Sequence, residues 1–217
     1  MRLLELFSGT GSVGKPWRDK GHEVISVDLD GRYNPEVVCD ILKWSYCTCP
    51  VPDVIWASCP CEQYSIARTT AKKPRNFALA DSLVSKSWEI IQYFESLNPE
   101  LIWFIENPDS SKLFKRAVAE PFAHMCVRLD YCCYSGPGYR KRTRIATNAT
   151  WTPRALCDPK TCPQCVDGKH LVTAQRGPGK GKDSRADRMS LDTLHGLPAE
   201  LTAEILKVCE AAQWTEV

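Results

Sequence analysis

Five short apolar segments in the first half of the chain each end at or beside a residue that can bind or react, and this pattern constrains the fold most strongly. The segments are residues 3–7, Glu23–Asp28, and residues 37–41, 53–57 and 101–105. Turn residues or stretches with helical spacing separate them, which is typical of β-α-β units. Because parallel strands place their carboxyl ends at one edge of a sheet, ligands bind there. The pattern predicts a doubly wound, mostly parallel α/β sheet with its site at that edge.

A glycine turn, Ser8-Gly9-Thr10-Gly11, follows the first segment, and residues 17–20 can begin a helix after it. Such a turn lets backbone N–H groups approach a ligand closely, although a structural tight turn has the same residues. Asp28 ends the second strand about twenty positions later, which suits a carboxylate that binds ribose hydroxyls. Asp40 ends the third strand and suits an adenine amino group. Either Asp alone would usually be solvated, but three polar strand ends together favour a nucleoside-binding crevice.

The size and composition of the chain exclude several classes of protein. With 217 residues and 43% hydrophobic content, it can bury one substantial core. It has no apolar run of about 18 residues and no signal-peptide layout, so we expect no membrane contact and an intracellular location, cytoplasmic or nucleoid-associated. In a reducing compartment its 12 cysteines indicate catalysis, metal binding or burial before disulfides. The net charge of +2 does not by itself predict a nucleic-acid partner.

A thiol and a carboxyl group follow two of the predicted strands. Pro60-Cys61 comes directly after the fourth strand, and Glu106-Asn107 after the fifth. Cys59 and Cys61 can equally be small core residues, because free cysteine is among the most buried residue types. If the sheet is parallel, however, Glu106 lies in the same crevice as Cys61. The sequence therefore predicts a thiol nucleophile and a carboxylic acid in one site, with Cys59 as packing.

Basic residues are concentrated in two places before residue 150. Residues 127–134 and 139–147 are predicted strands, and alternation places Arg140, Arg142 and Arg144 on one face, where guanidinium groups can bind a carbonyl or phosphate oxygen. A charged, solvated edge strand is the alternative. The loop at residues 69–76 contains Lys72, Lys73 and Arg75, and is either solvated or in contact with phosphates.

Two helices are predicted in this half of the chain. Phe77–Leu97 is a predicted amphipathic helix, and residues 110–119 form a short one.

The composition changes after residue 150, where a cluster of potential metal ligands appears. Their spacing, including a Cys-x-x-Cys pair, predicts a structural zinc ion with the ligands Cys157, Cys162, Cys165 and His170. The alternative is a reduced loop without metal. A tract rich in Lys, Arg and Gly at residues 169–188 has no apolar periodicity and suits a flexible loop that orders on nucleic acid. A last helix is predicted from residue 197.

The assembled order of motifs resembles the DNA cytosine-5 methyltransferase family. Residues 5–11, Glu-Leu-Phe-Ser-Gly-Thr-Gly, resemble the loop that cradles S-adenosylmethionine in that family, and Asp28 and Asp40-Ile41 its ribose and adenine contacts. Pro60-Cys61 resembles the nucleophile motif, Glu106-Asn107 the Glu-Asn motif, and Arg142-x-Arg144 the paired-arginine motif. The resemblance covers residues 2–148 in unbroken order. It implies a Rossmann-like class I S-adenosylmethionine-dependent methyltransferase and a compact, virus- or phage-like member.

The resemblance also assigns roles to individual residues. It implies catalysis by Cys61, Glu106, Arg142 and Arg144, and cofactor binding by Phe7, Ser8, Gly9, Thr10, Gly11, Asp28, Leu29, Asp40, Ile41 and Pro60.

Carbon 5 of cytosine is too poor a nucleophile to attack a methyl sulfonium, so a thiolate must first add at carbon 6. Glu106 would protonate ring nitrogen 3, and the arginines would hold the carbonyl oxygen and order the Cys61 loop. Asn107 would position backbone. The implied partner is DNA with a flipped cytosine, and no obligate protein partner is expected.

Several departures from the family pattern leave alternatives open. Glu62 replaces the usual Gln after the nucleophile and can raise the thiol pKa, Pro108 replaces Val, and Arg140 replaces Gln. Only residues 149–190 are left for target recognition, between a catalytic domain at 1–148 and a helix at 191–217 that packs back on it. Three alternatives therefore stay open. The protein could methylate RNA or a free nucleotide, it could use a modified methyl donor, or it could be a catalytically silent binding module.

Overall fold

A sheet of seven strands forms the centre of the protein in this computed structural model, which describes residues 1–66, 68–69, 71–134, 139–170 and 191–213. Its strands run, in chain order, from β1 to β7: Arg2–Leu6, Glu23–Asp28, Val37–Val38, Val54–Ala57, Ile102–Pro108, Cys126–Asp130 and Arg142–Thr147. Their order across the sheet is β3-β2-β1-β4-β5-β7-β6. The strands from β3 to β5 pair in parallel, and β7 is antiparallel to both β5 and β6. The predicted doubly wound, mostly parallel fold is confirmed.

Helices cover both faces of the sheet, because the central strands are apolar on both faces. Helix α2 (Phe77–Leu97) packs on one face, in a core with Leu4, Ile55 and Trp103. Helix α4 (Ala199–Gln213) lies on the other face, in a second core with Trp17 of α1 (Gly14–Asp19). The proposed division at residues 148 and 190 stays a prediction.

The element predictions succeed where periodicity is strong. β2 and α2 have the predicted bounds, and Asn76 caps α2 by accepting a hydrogen bond from the Leu79 N–H group at 3.0 Å. The short helix expected at residues 110–119 was wrong, since this segment forms 3-10 turns at Leu113–Lys115 and Ala117–Ala119. β6 ends at Asp130 rather than at residue 134, because a 3-10 turn at Tyr131–Cys133 follows it.

Two further elements lie beyond residue 148. A two-stranded hairpin pairs β8 (Cys165–Val166) with β9 (Lys169–His170). Helix α3 (Leu191–His195), which the sequence did not predict, precedes α4. The predicted basic tract lies mostly at residues 171–190, outside the described residues. In the part of the chain that the structure describes, no helix is long and apolar enough to cross a bilayer. The expected intracellular location stays a prediction.

The first turn of α1 lies so close to β1 that it tolerates only glycine at position 14. A Cβ atom on Gly14 would lie 2.6 Å from Oε2 of Glu5 and 2.8 Å from Cγ1 of Val24. We therefore expect Gly14→Ala to lower the free energy of unfolding by about 1 to 3 kcal/mol in urea titration. Gly31→Ala is the control, because its Cβ would meet Val38 at an ordinary 3.6 Å. Equal losses in the two variants would contradict this account.

Candidate active site

The carboxyl ends of β1, β2, β4 and β5 open into one cavity of about 1010 Å³. The cavity contains the predicted thiol and carboxyl group, Cys61 and Glu106, and also the glycine turn. Nine of the ten predicted cofactor residues line it: Phe7, Ser8, Gly9, Thr10, Asp28, Leu29, Asp40, Ile41 and Pro60. Gly11 lines a smaller neighbouring cavity instead. The parallel strands thus bring together residues that are up to a hundred positions apart in the chain.

The glycine turn and Asp28 form one hydrogen-bonded unit. Phe7 and Gly9 both have positive φ angles, 57° and 48°, which turns the chain sharply after β1. The Gly9 N–H group donates to Oδ2 of Asp28 at 2.7 Å, and the Asp30 N–H group donates to Oδ1 at 2.8 Å. Carboxylate oxygens have further lone pairs, so Asp28 can still accept hydrogen bonds from a ligand. The unit fixes that carboxylate at the cavity wall.

A buried carboxyl group, Glu5, lies beneath the same turn. It accepts hydrogen bonds from the Val13 and Gly14 N–H groups at 3.3 and 3.1 Å, at the amino end of α1. Burial raises the pKa of Glu5 to about 7, although those two hydrogen bonds oppose the rise. Glu5 therefore anchors the first turn of α1 to β1 and supports the loop from below.

The two cysteines after β4 have different environments. Cys59 is 3% exposed, burial raises its pKa to about 12, and its Sγ lies 3.6 Å from Oγ of Ser87. Cys61 is only partly buried and lines the cavity. Burial also raises the pKa of the Cys61 thiol, with Glu106 adding to the rise and Lys141 opposing it. Glu62 raises it too, as expected, but contributes less than Glu106.

Glu106 presents a buried carboxyl group to this cavity. The residue is 7% exposed, and burial raises the pKa of Glu106, while the Lys141 ammonium group opposes the rise. The hydroxyl groups of Tyr131 and Thr143 approach the carboxyl, yet its Oε1 reaches hydrogen-bond geometry with none of the described residues. This buried oxygen can therefore exchange a hydrogen bond with a group that enters the cavity.

Asn107 holds the cysteine loop against β5. Its Nδ2 donates to the carbonyl oxygen of Cys59 at 2.8 Å, and the residue is fully buried. The carbonyl belongs to the residue two positions before Cys61, so the contact fixes the backbone that presents the thiol. From the sequence we expected Asn107 to position backbone, and its amide contacts a backbone carbonyl group.

The two predicted arginines of β7 occupy different places. Arg142 lines the cavity and donates to Asp130 from Nε at 3.0 Å and from Nη2 at 2.8 Å. Arg144 donates to Oδ1 of Asp109 from Nε at 2.9 Å and lies over the Phe114 ring at 4.6 Å. It is not among the described residues that line the cavity. The structure therefore brings Arg142, but not Arg144, to Cys61 and Glu106.

Sequence reasoning missed Lys141, a cavity-lining cation whose charge acts on both members of the reacting pair. Between two arginines it reads as part of a basic strand, but its charge acts on both Cys61 and Glu106. Its Nζ lies 4.8 Å from the Tyr131 ring centroid and donates to the Leu194 carbonyl at 3.2 Å. That contact brings in α3, from which Asp192, Leu194 and His195 line the cavity. No local periodicity signals a five-residue helix, so the sequence could not have predicted this wall.

The basic loop before α2 is fastened to the cysteine loop. Arg75 donates from Nη1 to the Gln63 carbonyl at 2.6 Å, and Arg68 donates to the Gln63 side-chain oxygen at 2.7 Å. Lys72 and Lys73 are exposed. Two arginines of this region are therefore structural, and the two lysines remain available to phosphates.

The predicted metal ligands gather near the end of β6. Ligand atoms of Cys157, Cys162 and His170 lie within 4.8 Å of one another and of the Cys132 sulfur. Cys165, the fourth predicted ligand, lies on the far side of the imidazole, 3.4 Å from its Nδ1. Sequence spacing did not predict Cys132 as a member of this group, because it lies 25 positions before Cys157 in another segment.

Comparison with known proteins gives one relative of nearly full length. A "Probable DNA (cytosine-5)-methyltransferase" of Frog virus 3 (isolate Goorha) is 32% identical over 231 residues, which cover 96% of this chain and 100% of the relative. No family model matches the chain.

Two solved DNMT2 structures are also similar. A mutant of the Spodoptera frugiperda protein has a TM-score of 0.42 and 17% identity, over 72% of this chain and 53% of that one. The S. pombe protein has a TM-score of 0.41 and 15% identity, over 82% and 61% of the two chains. This chain thus covers less than two thirds of either DNMT2 chain.

Proposed function

Because the chain belongs to the DNA (cytosine-5) methyltransferase family, we propose that it methylates carbon 5 of cytosine in DNA through a covalent adduct with Cys61. The observation that carries the proposal is the cavity shared by the Cys61 thiol, the unpaired Glu106 carboxyl oxygen and the Asp28 loop. A nucleophile, an acid and a nucleoside site are the parts that this reaction needs.

The cavity suits the cofactor of the family. S-adenosylmethionine, when bound, supplies the electrophilic methyl group. Asp28 would accept hydrogen bonds from the ribose hydroxyls, and Asp40 with Ile41 would contact the adenine, at the ends of neighbouring strands. Phe7, Gly9 and the turn between them would give the ligand close access to backbone, because their positive φ angles turn the chain sharply at the cavity wall.

The reaction would begin at Cys61. Its thiolate adds to carbon 6 of cytosine, forming an S–C bond, and the ring electrons move toward nitrogen 3. Glu106, protonated at that moment, donates a proton to nitrogen 3 through the oxygen that lacks a partner. Carbon 5 would then take the methyl group, and the bond from that methyl group to the sulfonium sulfur would break to leave S-adenosylhomocysteine. A base would remove the carbon 5 proton, so that the carbon 5–carbon 6 double bond re-forms and the carbon 6–sulfur bond breaks to release the Cys61 thiolate. The proton on nitrogen 3 would return to Glu106.

The neighbouring cations would support these steps. Lys141 favours the thiolate form of Cys61, which attacks carbon 6, and it also favours the carboxylate that Glu106 becomes once its proton has been donated. Arg142, held by Asp130, would hold the carbonyl oxygen of the base from the rim of the cavity. Arg144 would act indirectly, by fixing Asp109, which directly follows β5 and lines the cavity.

We assign the polymer contacts to three regions. A cytosine within duplex DNA must leave the stack to reach Cys61. The exposed Lys72 and Lys73 would contact phosphates beside the cavity. The segment at residues 149–190, with a structural zinc ion, would provide target recognition in a short length of chain.

The test is methyl transfer from labelled S-adenosylmethionine to duplex DNA, to RNA of the same sequence and to dCMP. We expect labelled 5-methylcytosine in DNA, with a rate that falls steeply as salt rises, because phosphate contacts release counterions. Label in RNA or dCMP alone would overturn the DNA assignment but leave the chemistry intact. No label in any of the three would overturn the proposed function, the silent binding module being the alternative.

A further inference from the structure

The strongest unassigned feature is the cluster of sulfur and imidazole groups at the end of β6. Sγ of Cys157 lies 3.4 Å from Nε2 of His170, and Sγ of Cys162 lies 3.6 Å from it. A tetrahedral zinc ion, bonded to sulfur at about 2.3 Å and to nitrogen at about 2.0 Å, holds a sulfur and a nitrogen ligand about 3.5 Å apart. Cys132 completes a set of four ligand atoms within 4.8 Å of one another. The donors therefore fit zinc in both chemistry and spacing.

Cys165 has a different place in this cluster. Its Sγ lies 3.4 Å from Nδ1 of His170, the nitrogen opposite the one that faces Cys157 and Cys162. An imidazole that binds a metal through one nitrogen donates its other N–H group to a neighbour, which fixes the ring. The hairpin pairs Cys165 directly with His170. The position of Cys165 thus suits a hydrogen-bond acceptor that orients the His170 ring. It does not suit the fourth metal ligand.

The segment that carries three of these ligands has no core of its own. None of the described residues from 151 to 170 is buried. Cys132, in contrast, is 6% exposed and belongs to the 3-10 turn that follows β6 of the sheet. A metal bound by both parts would supply the folding free energy that the segment lacks, because metal binding is coupled to folding. It would also attach the segment to the catalytic sheet.

The attachment reaches the cavity through two hydrogen-bonded contacts. The Cys157 N–H group donates to Oδ2 of Asp130 at 3.0 Å. Asp130 is 2% exposed, lies opposite Arg142 in the sheet and accepts from its Nε and Nη2. Arg142 lines the cavity that contains Cys61. A ligand of the metal is therefore two contacts away from a side chain of the active site.

We propose that Cys132, Cys157, Cys162 and His170 bind a structural zinc ion that fastens residues 157–170 to the end of β6 and positions Arg142 through Asp130. The metal site stands on its own geometry. Its effect on Arg142 rests on the proposed function, in which that residue holds the substrate base.

Metal analysis of protein purified without chelator tests the site. We expect about one zinc per chain in the wild type and in the Cys165→Ser and Cys133→Ser variants, and loss of zinc in Cys132→Ser. X-ray absorption of the wild type should give three sulfur ligands and one nitrogen. A zinc-free wild type, four sulfur ligands, or zinc lost from Cys165→Ser but kept by Cys132→Ser would overturn the proposal, whether or not methyl transfer occurs. If Cys132→Ser fails to fold, the zinc content of Cys165→Ser still decides, because loss of zinc from that variant would make Cys165 a ligand.

The link to Arg142 is tested by steady-state kinetics with Cys132→Ser. We expect its KM for DNA to rise about tenfold or more, as losses around metal sites typically do. Its dissociation constant for S-adenosylmethionine should not change, because the cofactor residues lie at or after the ends of β1 to β4, and the metal ligands lie after β6. An unchanged KM in zinc-free protein, or an equal loss of cofactor binding, would overturn the link. Inactivity of the wild type, in contrast, would overturn the proposed function and leave the metal result standing.

Discussion

Replacing Glu106 by Gln should reduce methyl transfer by about 10²-fold to 10⁴-fold, because the amide keeps the shape of the carboxyl group but cannot donate its proton to nitrogen 3. The same change should accelerate alkylation of Cys61 by iodoacetamide. The negative charge of Glu106 raises the pKa of the Cys61 thiol, so its removal lowers that pKa and increases the thiolate fraction. Alkylation rates between pH 7 and 10 measure the shift.

Two variants control this experiment. Glu62→Gln should accelerate alkylation less, because Glu62 is exposed and contributes less to the thiol pKa. Lys141→Met should slow it, because the positive charge that favours the thiolate is removed. Unreduced methyl transfer in Glu106→Gln, or alkylation that slows in this variant, would contradict the assigned geometry of the pair.

Replacing Cys61 by Ser should abolish methyl transfer, by about 10⁴-fold or more, because a hydroxyl group is a far weaker nucleophile than a thiolate. Cys59→Ala is the matched control, since Cys59 lies two positions away but is buried against Ser87 with a pKa near 12. It should retain activity at 25 °C. The initial rate with labelled S-adenosylmethionine and duplex DNA measures both. Equal losses would contradict the separation of the two cysteines.

Much of the fold follows from local pattern. β2 and α2 have their predicted bounds because apolar spacing and a capping residue act within one segment. The meeting of Cys61 with Glu106 was also predictable, since parallel strands bring their carboxyl ends together whatever the loop lengths are. These features depend on period and topology, which a single sequence contains.

The remaining features depend on contacts between distant residues. Cys132 joins the Cys/His cluster only because β6 ends at Asp130, and the end of β6 is set by the turn that follows it. Alternation was expected to place Arg140, Arg142 and Arg144 on one face, but β7 begins only at Arg142. The acidic partners of its two arginines lie on other elements, and Arg144 is directed to Asp109. The role of Lys141 depends on α3, which follows residues that the sequence marks only as basic. Strand alternation predicts a face, but it does not predict the neighbours on that face.

The central claim is that Cys61 forms a covalent bond with carbon 6 of the target base, and a trapping experiment tests it most directly. DNA with 5-fluorocytosine would be incubated with the protein and S-adenosylmethionine, because fluorine cannot leave as the carbon 5 proton does. Intact mass and peptide mapping should show one methylated adduct on Cys61 in the wild type and in Cys59→Ala, and none in Cys61→Ser. Methylation of ordinary cytosine without any adduct, or an adduct on another cysteine, would contradict the account.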